Sequence, residues 1–260
     1  MADNRPIGLF DSGVGGLSIL AQIKKILPQE GFVFLADQGH NPYGEKTKSQ
    51  LQNLSVRITK FLLKYRIKLL VVACNTATCY ALKHLRSRFK IPIIGTVPAI
   101  KPAAVLSRKK KVAIMSTPAT AQSAYLSSLI DDFASGVDVF KLGCDGLEES
   151  VEYLETEEIS RLLNSYVKQV KKFDADVVVL GCTHFPFIKG DIQKRLGPKV
   201  KIIDSGRSIA QRVRYLLTKN ESLATKKLPD AYYTTSDPSV FSKVASTLLK
   251  YQVSAQKVNI

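Results

Sequence analysis

The sequence has few cysteines and no long apolar run. Its 260 residues include only four cysteines, too few and too widely spaced for a disulfide scaffold, so we expect free thiols in a reducing compartment. No CxxC pair is present, which leaves a cysteine-based metal site unsupported. No apolar stretch approaches the ~20 residues of a membrane span, and the first residues lead into a strand-like run rather than a signal peptide. These absences predict a cytoplasmic protein with no membrane partner.

Acidic residues are also scarce. Twenty-two Asp and Glu stand against 38 Lys and Arg, which gives a net charge of +16. Such a balance attracts nucleic acid, anionic lipid or acidic metabolites. The basic residues are scattered, however, with one tight run at Lys109-Lys110-Lys111 and no aromatic residues interleaved. We therefore expect a solvated basic surface and no nucleic-acid partner.

The chain alternates short apolar runs with longer amphipathic stretches, which is typical of parallel strands joined by crossover helices. We predict an α/β fold. The predicted strands are Ile7–Phe10, Phe32–Ala36, Leu69–Ala73 and Ile91–Gly95, followed by Val112–Met115, Val137–Leu142, Val177–Gly181 and Val200–Ile203.

These two sets of four strands form an internal repeat. Cys182 follows Cys74 by 108 positions, and Asp204 follows Gly95 by 109, so the spacing is nearly constant. The repeat predicts two pseudo-symmetric parallel-sheet lobes with flanking helices and an active site in the cleft between them. We place the first lobe at residues 1–98 plus 208–260, including a strand at Ala231–Thr234, and the second at 99–207.

Ligands of open α/β sheets bind beyond the carboxyl ends of the strands, so the residues after each apolar run are the first candidates for function. Gly13, Gly15 and Gly16 predict a tight strand-to-helix turn with free N–H groups, although neither a dinucleotide nor a P-loop motif is present. The polar segments at the predicted strand ends are Asp11–Gly16, Asp37–Gly44, Cys74–Thr76, Cys182–His184 and Asp204–Gly206.

Cys74 and Cys182 occupy matching positions of the repeat. Each stands between a strand and a predicted helix, where a helix N-terminus favours the thiolate and lowers the pKa of the thiol. Cys79 and Cys144 have no counterpart in the other half, so we expect them to be packing residues. His184 is either a core histidine or a group that moves a proton to or from Cys182.

Two matched thiols suggest a specific reaction. A cysteine hydrolase needs one nucleophile and an oxyanion hole, whereas thiols on opposite faces of one carbon can remove a proton from one face and return one to the other. The product is the opposite enantiomer, formed without a cofactor. The donors and acceptors for the ammonium and carboxylate of an amino acid are supplied by Asp11, Ser12, Asn75, Thr76 and Thr183.

Four ordered motifs resemble the glutamate-acting members of the aspartate/glutamate racemase superfamily, and the match covers most of the chain. The motifs are FDSGVGGLS at 10–18, NPYGEKT at 41–47, ACNTAT at 73–78 and GCTHFP at 181–186. The resemblance implies a two-domain α/β enzyme that interconverts L- and D-glutamate for peptidoglycan synthesis. It also implies that the enzyme uses neither pyridoxal phosphate nor metal and commonly forms a homodimer.

The same resemblance implies the site residues. Cys74 and Cys182 match the proton-transfer cysteines, with Asp11 and His184 as their helpers and Glu152 as a further acidic residue assisting proton transfer. The implied substrate contacts are Asp11, Ser12, Tyr43, Gly44, Asn75, Thr76, Thr183 and His184. The chain departs from the family pattern at 37–41, often rich in Thr, Ala and Arg, and at Asp145, where proline is usual.

Three alternatives stay open at this stage. The chain could prefer aspartate to glutamate, it could be chiefly a binding protein for nucleic acid or an enzyme partner, or it could be a cysteine hydrolase. A rate comparison on the two acids tests the first, and the retention of both cysteines with Asp11 and His184 argues against the second.

Overall fold

The computed structural model describes residues 3–260 and divides them into two compact units. One unit comprises Met1–Thr96 with Gly206–Ile260, and the other comprises Val97–Ser205. The second unit thus begins and ends two residues before the boundaries expected from the sequence. None of the helices in the described part of the chain combines the length and the apolar character that a bilayer crossing requires.

Within residues 3–260, ten strands and eleven α-helices make up the two units. The strands are β1 (Ile7–Asp11), β2 (Phe32–Ala36), β3 (Leu69–Val72), β4 (Ile93–Gly95), β5 (Lys111–Ser116), β6 (Asp138–Gly143), β7 (Val177–Leu180), β8 (Lys201–Asp204), β9 (Ala231–Thr234) and β10 (Ala255–Lys257). The helices are α1 (Leu17–Ile26), α2 (Lys48–Leu63), α3 (Asn75–Arg88), α4 (Ile100–Leu106), α5 (Pro118–Gln122), α6 (Ala124–Phe133), α7 (Leu147–Glu152), α8 (Thr156–Phe173), α9 (Lys189–Leu196), α10 (Gly206–Lys219) and α11 (Pro238–Leu249).

Each unit is built on a parallel sheet. The first sheet has the order β10-β9-β2-β1-β3-β4, and the second has the order β6-β5-β7-β8. The segment β2-β1-β3-β4 and the second sheet therefore share one strand order, which confirms the α/β fold with two sheets of related topology. Their central strands are apolar throughout, as in LLVV of β3 and VVVL of β7, because helices cover both faces of a parallel sheet.

The first sheet is larger than the repeat predicts. Strand β9 pairs with β2, and β10 extends the sheet beyond β9. The prediction of a four-stranded core omitted β10, because its three residues, Ala-Gln-Lys, are too few and too polar to show a strand pattern. Strand β4 begins at Ile93, later than the predicted Ile91, and it follows Pro92, a residue without an N–H to donate to the ladder.

Local sequence signals set several helix ends near the functional segments. Helix α2 begins after a capping box, in which Thr47 Oγ1 accepts from Gln50 N and the Gln50 side chain accepts from Thr47 N. Cys74 is the N-cap residue of α3, and its Sγ accepts from Ala77 N at 3.4 Å. The polar segments that follow β1, β2 and β3 are therefore held at the carboxyl edge of the first sheet.

Candidate active site

The first unit places Asp11, Ser12 and Cys74 close together. Asp11 is the last residue of β1 and is fully buried, and its Oδ1 accepts from Ser12 N at 2.7 Å. Ser12 Oγ in turn lies 3.8 Å from Cys74 Sγ. Strands β1 and β3 are neighbours in register, so Ser12 and Cys74, which are 62 positions apart in sequence, meet at one sheet edge.

The predicted glycine turn packs against Asp11 and against Ala73, the residue before Cys74. Residues Val14–Gly16 form a short 3-10 helix that leads into α1. A Cβ atom at Gly16 would lie 2.7 Å from Asp11 Cβ and 3.1 Å from Ala73 Cβ, closer than side-chain atoms normally approach. Glycine is therefore required here because the turn packs against the aspartate and the end of β3.

Tyr43 joins the same apolar cluster as Cys74 and is 1% exposed. Its hydroxyl donates to Asp37 Oδ2 at 2.6 Å. Burial raises the pKa of Tyr43 well above its ordinary value, and the negative charge of Asp37 adds to this effect, followed by the hydrogen bond to Asp37 and the nearby Cys74 and Asp11. The phenol therefore remains a neutral hydrogen-bond donor. Gly44 follows in an exposed position.

Sequence reasoning missed the role of Asp37. The residue is fully buried, and its Oδ1 also contacts His40 Nδ1 at 2.7 Å and Thr235 Oγ1 at 2.9 Å. His40 thus belongs to the hydrogen-bond network that holds Tyr43. The signal that could have identified Asp37 is its position. It directly follows β2, just as Asp11 ends the neighbouring strand β1.

Asn75 carries an unsatisfied acceptor. The residue is 4% exposed, and within residues 3–260 no group donates a hydrogen bond to its Oδ1. A buried amide oxygen without a donor costs about 1–3 kcal/mol, so this atom is suited to a ligand that brings an N–H or O–H group. Thr76, the next residue, is also buried, at 3% exposure.

The second unit places Cys182, His184 and Glu152 in a hydrogen-bonded chain. His184 Nδ1 lies 3.6 Å from Cys182 Sγ, and His184 Nε2 lies 2.6 Å from Glu152 Oε2. All three side chains are at most 5% exposed. Glu152 ends α7, whereas the other two follow β7, so the fold unites residues about 30 positions apart. Thr183, between the cysteine and the histidine, is buried as well.

The prediction of a lowered thiol pKa is wrong for Cys182. Burial raises the pKa of this thiol, the charge of Glu148 raises it further, and the hydrogen bond from His184 offsets only part of the effect. The expected helix is also displaced, because residues Phe185–Ile188 form a 3-10 turn before α9 begins. Cys182 is therefore held as a neutral thiol that can donate a proton.

His184 is held in its protonated form. Burial alone lowers the pKa of an imidazole, but the hydrogen bonds to Cys182 and Glu152 and the charge of Glu148, joined by that of the Cys182 thiolate whenever it forms, outweigh it. The pKa of His184 consequently lies well above its ordinary value. An imidazolium beside the sulfur stabilises the thiolate that forms when Cys182 gives up its proton.

The pKa of His184 is expected to depend on Glu152. In Glu152→Gln, we expect the pKa of His184 to fall, because the hydrogen bond to the Glu152 carboxylate is one of the interactions that raise it. Imidazole NMR titration measures this directly, since the chain has three histidines. His84, on α3 in the other unit, provides a reference resonance. An unchanged His184 midpoint would contradict the ion pair.

The other two cysteines lie apart from these groups in role. Cys144 is 1% exposed and packs in the apolar core of the second unit, where burial strongly raises the pKa of its thiol. Cys79 is half-buried within α3. All four cysteines are free thiols.

Asp145 is exposed, and its carbonyl accepts from Tyr166 Oη. Residues 3–260 contain no cluster of three or more His, Cys, Asp or Glu side chains that could hold a metal ion.

Comparison with known proteins gives one consistent result. The family model for Asp/Glu/hydantoin racemases matches residues 39–213. A glutamate racemase from Pseudomonas syringae pv. tomato is 42% identical over 92% of this chain and 88% of its own length. One from Herpetosiphon aurantiacus is 39% identical over 94% of this chain and 98% of its own length.

Solved structures extend the likeness to the fold. A glutamate racemase isoform from Bacillus anthracis has a TM-score of 0.89 at 30% identity, covering 99% of this chain and 98% of its own. The Escherichia coli glutamate racemase, solved with L-glutamate and the activator UDP-MurNAc-ala, has a TM-score of 0.84 at 32% identity, covering 96% and 97%. An aspartate racemase from Picrophilus torridus shares the fold, with a TM-score of 0.60 at 17% identity over 83% of this chain and 94% of its own.

Proposed function

Because this chain belongs to the Asp/Glu/hydantoin racemase family, we propose that it interconverts L-glutamate and D-glutamate. The enzyme is an amino-acid racemase, and its D-glutamate product serves peptidoglycan synthesis. One observation supports the mechanism most directly. Cys74 follows β3 and Cys182 follows β7, which are equivalent strands of two sheets with the same strand order.

The reaction assigns one role to each thiol. In one direction, the thiolate of one cysteine takes the α-proton, which leaves the C–H electron pair on the substrate as a carbanion. The thiol of the other cysteine then gives a proton to the opposite face, so one thiol is consumed and one is formed. The reverse direction exchanges the roles. Proton exchange with solvent restores the starting protonation states.

The neighbouring residues support these roles. His184, held by Glu152, assists proton transfer at Cys182, because a positive charge stabilises the thiolate. Asp11 assists at Cys74, to which it is linked through Ser12. We assign the unsatisfied Oδ1 of Asn75 to the substrate ammonium, and the hydroxyls of Ser12, Thr76 and Thr183, with the backbone of Tyr43 and Gly44, to its carboxylates.

We propose two further features of this protein, its location and its oligomeric state. We assign the protein to the cytoplasm, where reducing conditions keep both thiols free. We also assign it a homodimeric state, which is consistent with apolar side chains exposed on the second unit, Val105 at 80% and Phe133 at 45%. Light scattering measures the state directly, and a mass of 28.7 kDa in place of twice that value would refute the dimer.

The test of function uses both candidate acids. The purified protein is incubated with D-glutamate in heavy water and no added cofactor. The circular dichroism signal of the glutamate should disappear while deuterium enters its α-position. With aspartate, kcat/KM should be at least about tenfold lower, since one methylene in a binding site accounts for about 1–3 kcal/mol. A higher kcat/KM for aspartate would assign the enzyme to that substrate instead. A folded preparation active on neither acid would refute the racemase assignment.

A further inference from the structure

A second concave site lies in the first unit. Its volume is about 490 Å³, and it is lined by the side chains of His40, Lys46, Gln50, Asn53, Leu54 and Arg57. None of these residues belongs to the groups assigned above to proton transfer or substrate binding. The volume falls within the range of small-molecule sites.

Helical spacing explains why these side chains share one wall. Gln50, Asn53, Leu54 and Arg57 follow one another at intervals of three, one and three residues along α2, which places them on one stripe of the helix. The adjoining stripe of α2, including Leu51, Ile58 and Leu62, is buried in the apolar core, to which Leu54, at 5% exposure, also belongs. The connection between β2 and α2 supplies the facing wall, with His40 and Lys46.

The charge of this cavity is of one sign. Lys46 and Arg57 bring positive charge, and no Asp or Glu lines the cavity. The ion pairs of the first unit are formed by other basic residues, which are Arg5, Lys24, His40 and Lys68. Within residues 3–260, the side chains of Lys46 and Arg57 thus remain without an acidic partner.

The remaining lining groups complete a site for an anion. The Gln50 Oε1 atom accepts from Thr47 in the capping box, which leaves its amide NH₂ as a donor, and Asn53 provides a second amide. The ring of His40 is anchored by the buried Asp37, while Leu54 contributes an apolar surface. Arginine and lysine with amide donors are a typical set for phosphate oxygens, because guanidinium matches their geometry and ammonium supplies a point charge.

We propose that this cavity, formed by the β2–α2 connection and one stripe of α2, binds a phosphate-bearing small molecule. The volume of about 490 Å³ exceeds what a single phosphate ion occupies, so the ligand carries a further portion beside its phosphate. No lining residue is assigned to proton transfer, although His40 contacts Asp37, which also holds Tyr43. Binding at the cavity can be measured without turnover.

The test measures the binding of inorganic pyrophosphate by calorimetry at about 0.15 M salt, where long-range attraction is screened beyond ~8 Å. The wild-type protein should bind one pyrophosphate, and Lys46→Gln with Arg57→Gln should weaken the affinity at least about tenfold. The matched control is Lys48→Gln with Lys60→Gln, which removes the same charge from the same helix at positions outside the cavity. This control should keep the affinity within about twofold.

The possible outcomes are distinct. The proposal is overturned if the wild-type protein does not bind pyrophosphate. It is also overturned if both double variants lose the same affinity, because pyrophosphate would then be attracted only by the net charge of +16. Succinate is the carboxylate probe, and if it displaces pyrophosphate with equal affinity, the assignment to phosphate is wrong. Thermal melts verify that each variant is folded. Glutamate turnover is assayed separately, so the result of the binding experiment can be interpreted even if the racemase assignment fails.

Discussion

Cys74→Ala and Cys182→Ala should each abolish racemisation of glutamate, with losses of at least about 10²–10⁴-fold in kcat/KM in both directions. The physical reason is that each turnover needs one sulfur to accept a proton and the other to donate one, and general acid–base catalysis by a placed side chain contributes about that factor. Circular dichroism of each glutamate enantiomer measures the rates. Because the two enantiomers have equal free energy, kcat/KM must fall equally in the two directions.

Proton exchange separates a two-thiol mechanism from a one-thiol mechanism. In heavy water, each single variant should still exchange the α-proton of one enantiomer slowly, without inversion, and the two variants should act on opposite enantiomers. The remaining thiol reaches only one face, which is why exchange persists on that face alone. Cys79→Ala is the control, since Cys79 lies within α3 and outside the proposed chemistry, and it should retain racemisation. Racemisation surviving in either active-site variant would contradict the assignment.

The second large effect is expected at His184. In His184→Asn, kcat/KM should fall by about 10²-fold or more, because Cys182 loses the imidazolium at 3.6 Å from its sulfur. Burial and the charge of Glu148 then raise the pKa of the Cys182 thiol further, because the side-chain hydrogen bond and the positive charge of His184 that lowered it are lost. Steady-state kinetics in both directions measures the loss, and the alkaline limb of the pH profile should move to higher pH.

Two variants separate this electrostatic role from simple packing. Glu152→Gln keeps a hydrogen-bonding side chain beside His184 but removes the charge, so it should show a smaller loss of kcat/KM than His184→Asn. His84→Asn replaces a histidine outside the site and should leave the kinetics unchanged. Melting curves check folding, since His184→Asn removes the imidazole that contacts the buried Glu152 carboxylate at 2.6 Å. A pH profile identical to that of the wild type would show that His184 acts only in packing.

Much of the fold could be predicted because the pattern of a buried parallel strand is local. Runs such as LLVV and VVVL are apolar at every position, since helices cover both sheet faces. The polar residues after these runs could be recognised as candidates because strand ends are where such sheets bind ligands. Strand β10 could not be predicted from the sequence. Its short polar segment shows no strand pattern, and it becomes a strand only because it pairs with β9 in the folded chain.

By itself, the sequence determined the two-sheet α/β architecture, the repeat and the matched positions of Cys74 and Cys182. Only the tertiary structure decided which groups act on them. It placed Glu152 of α7 against His184, joined Asp37 to Tyr43, and raised the pKa of Cys182 where a lowered one was predicted. The reason is physical: hydrophobic periodicity is written into consecutive residues, whereas a pKa depends on burial and on charges brought close by distant parts of the chain.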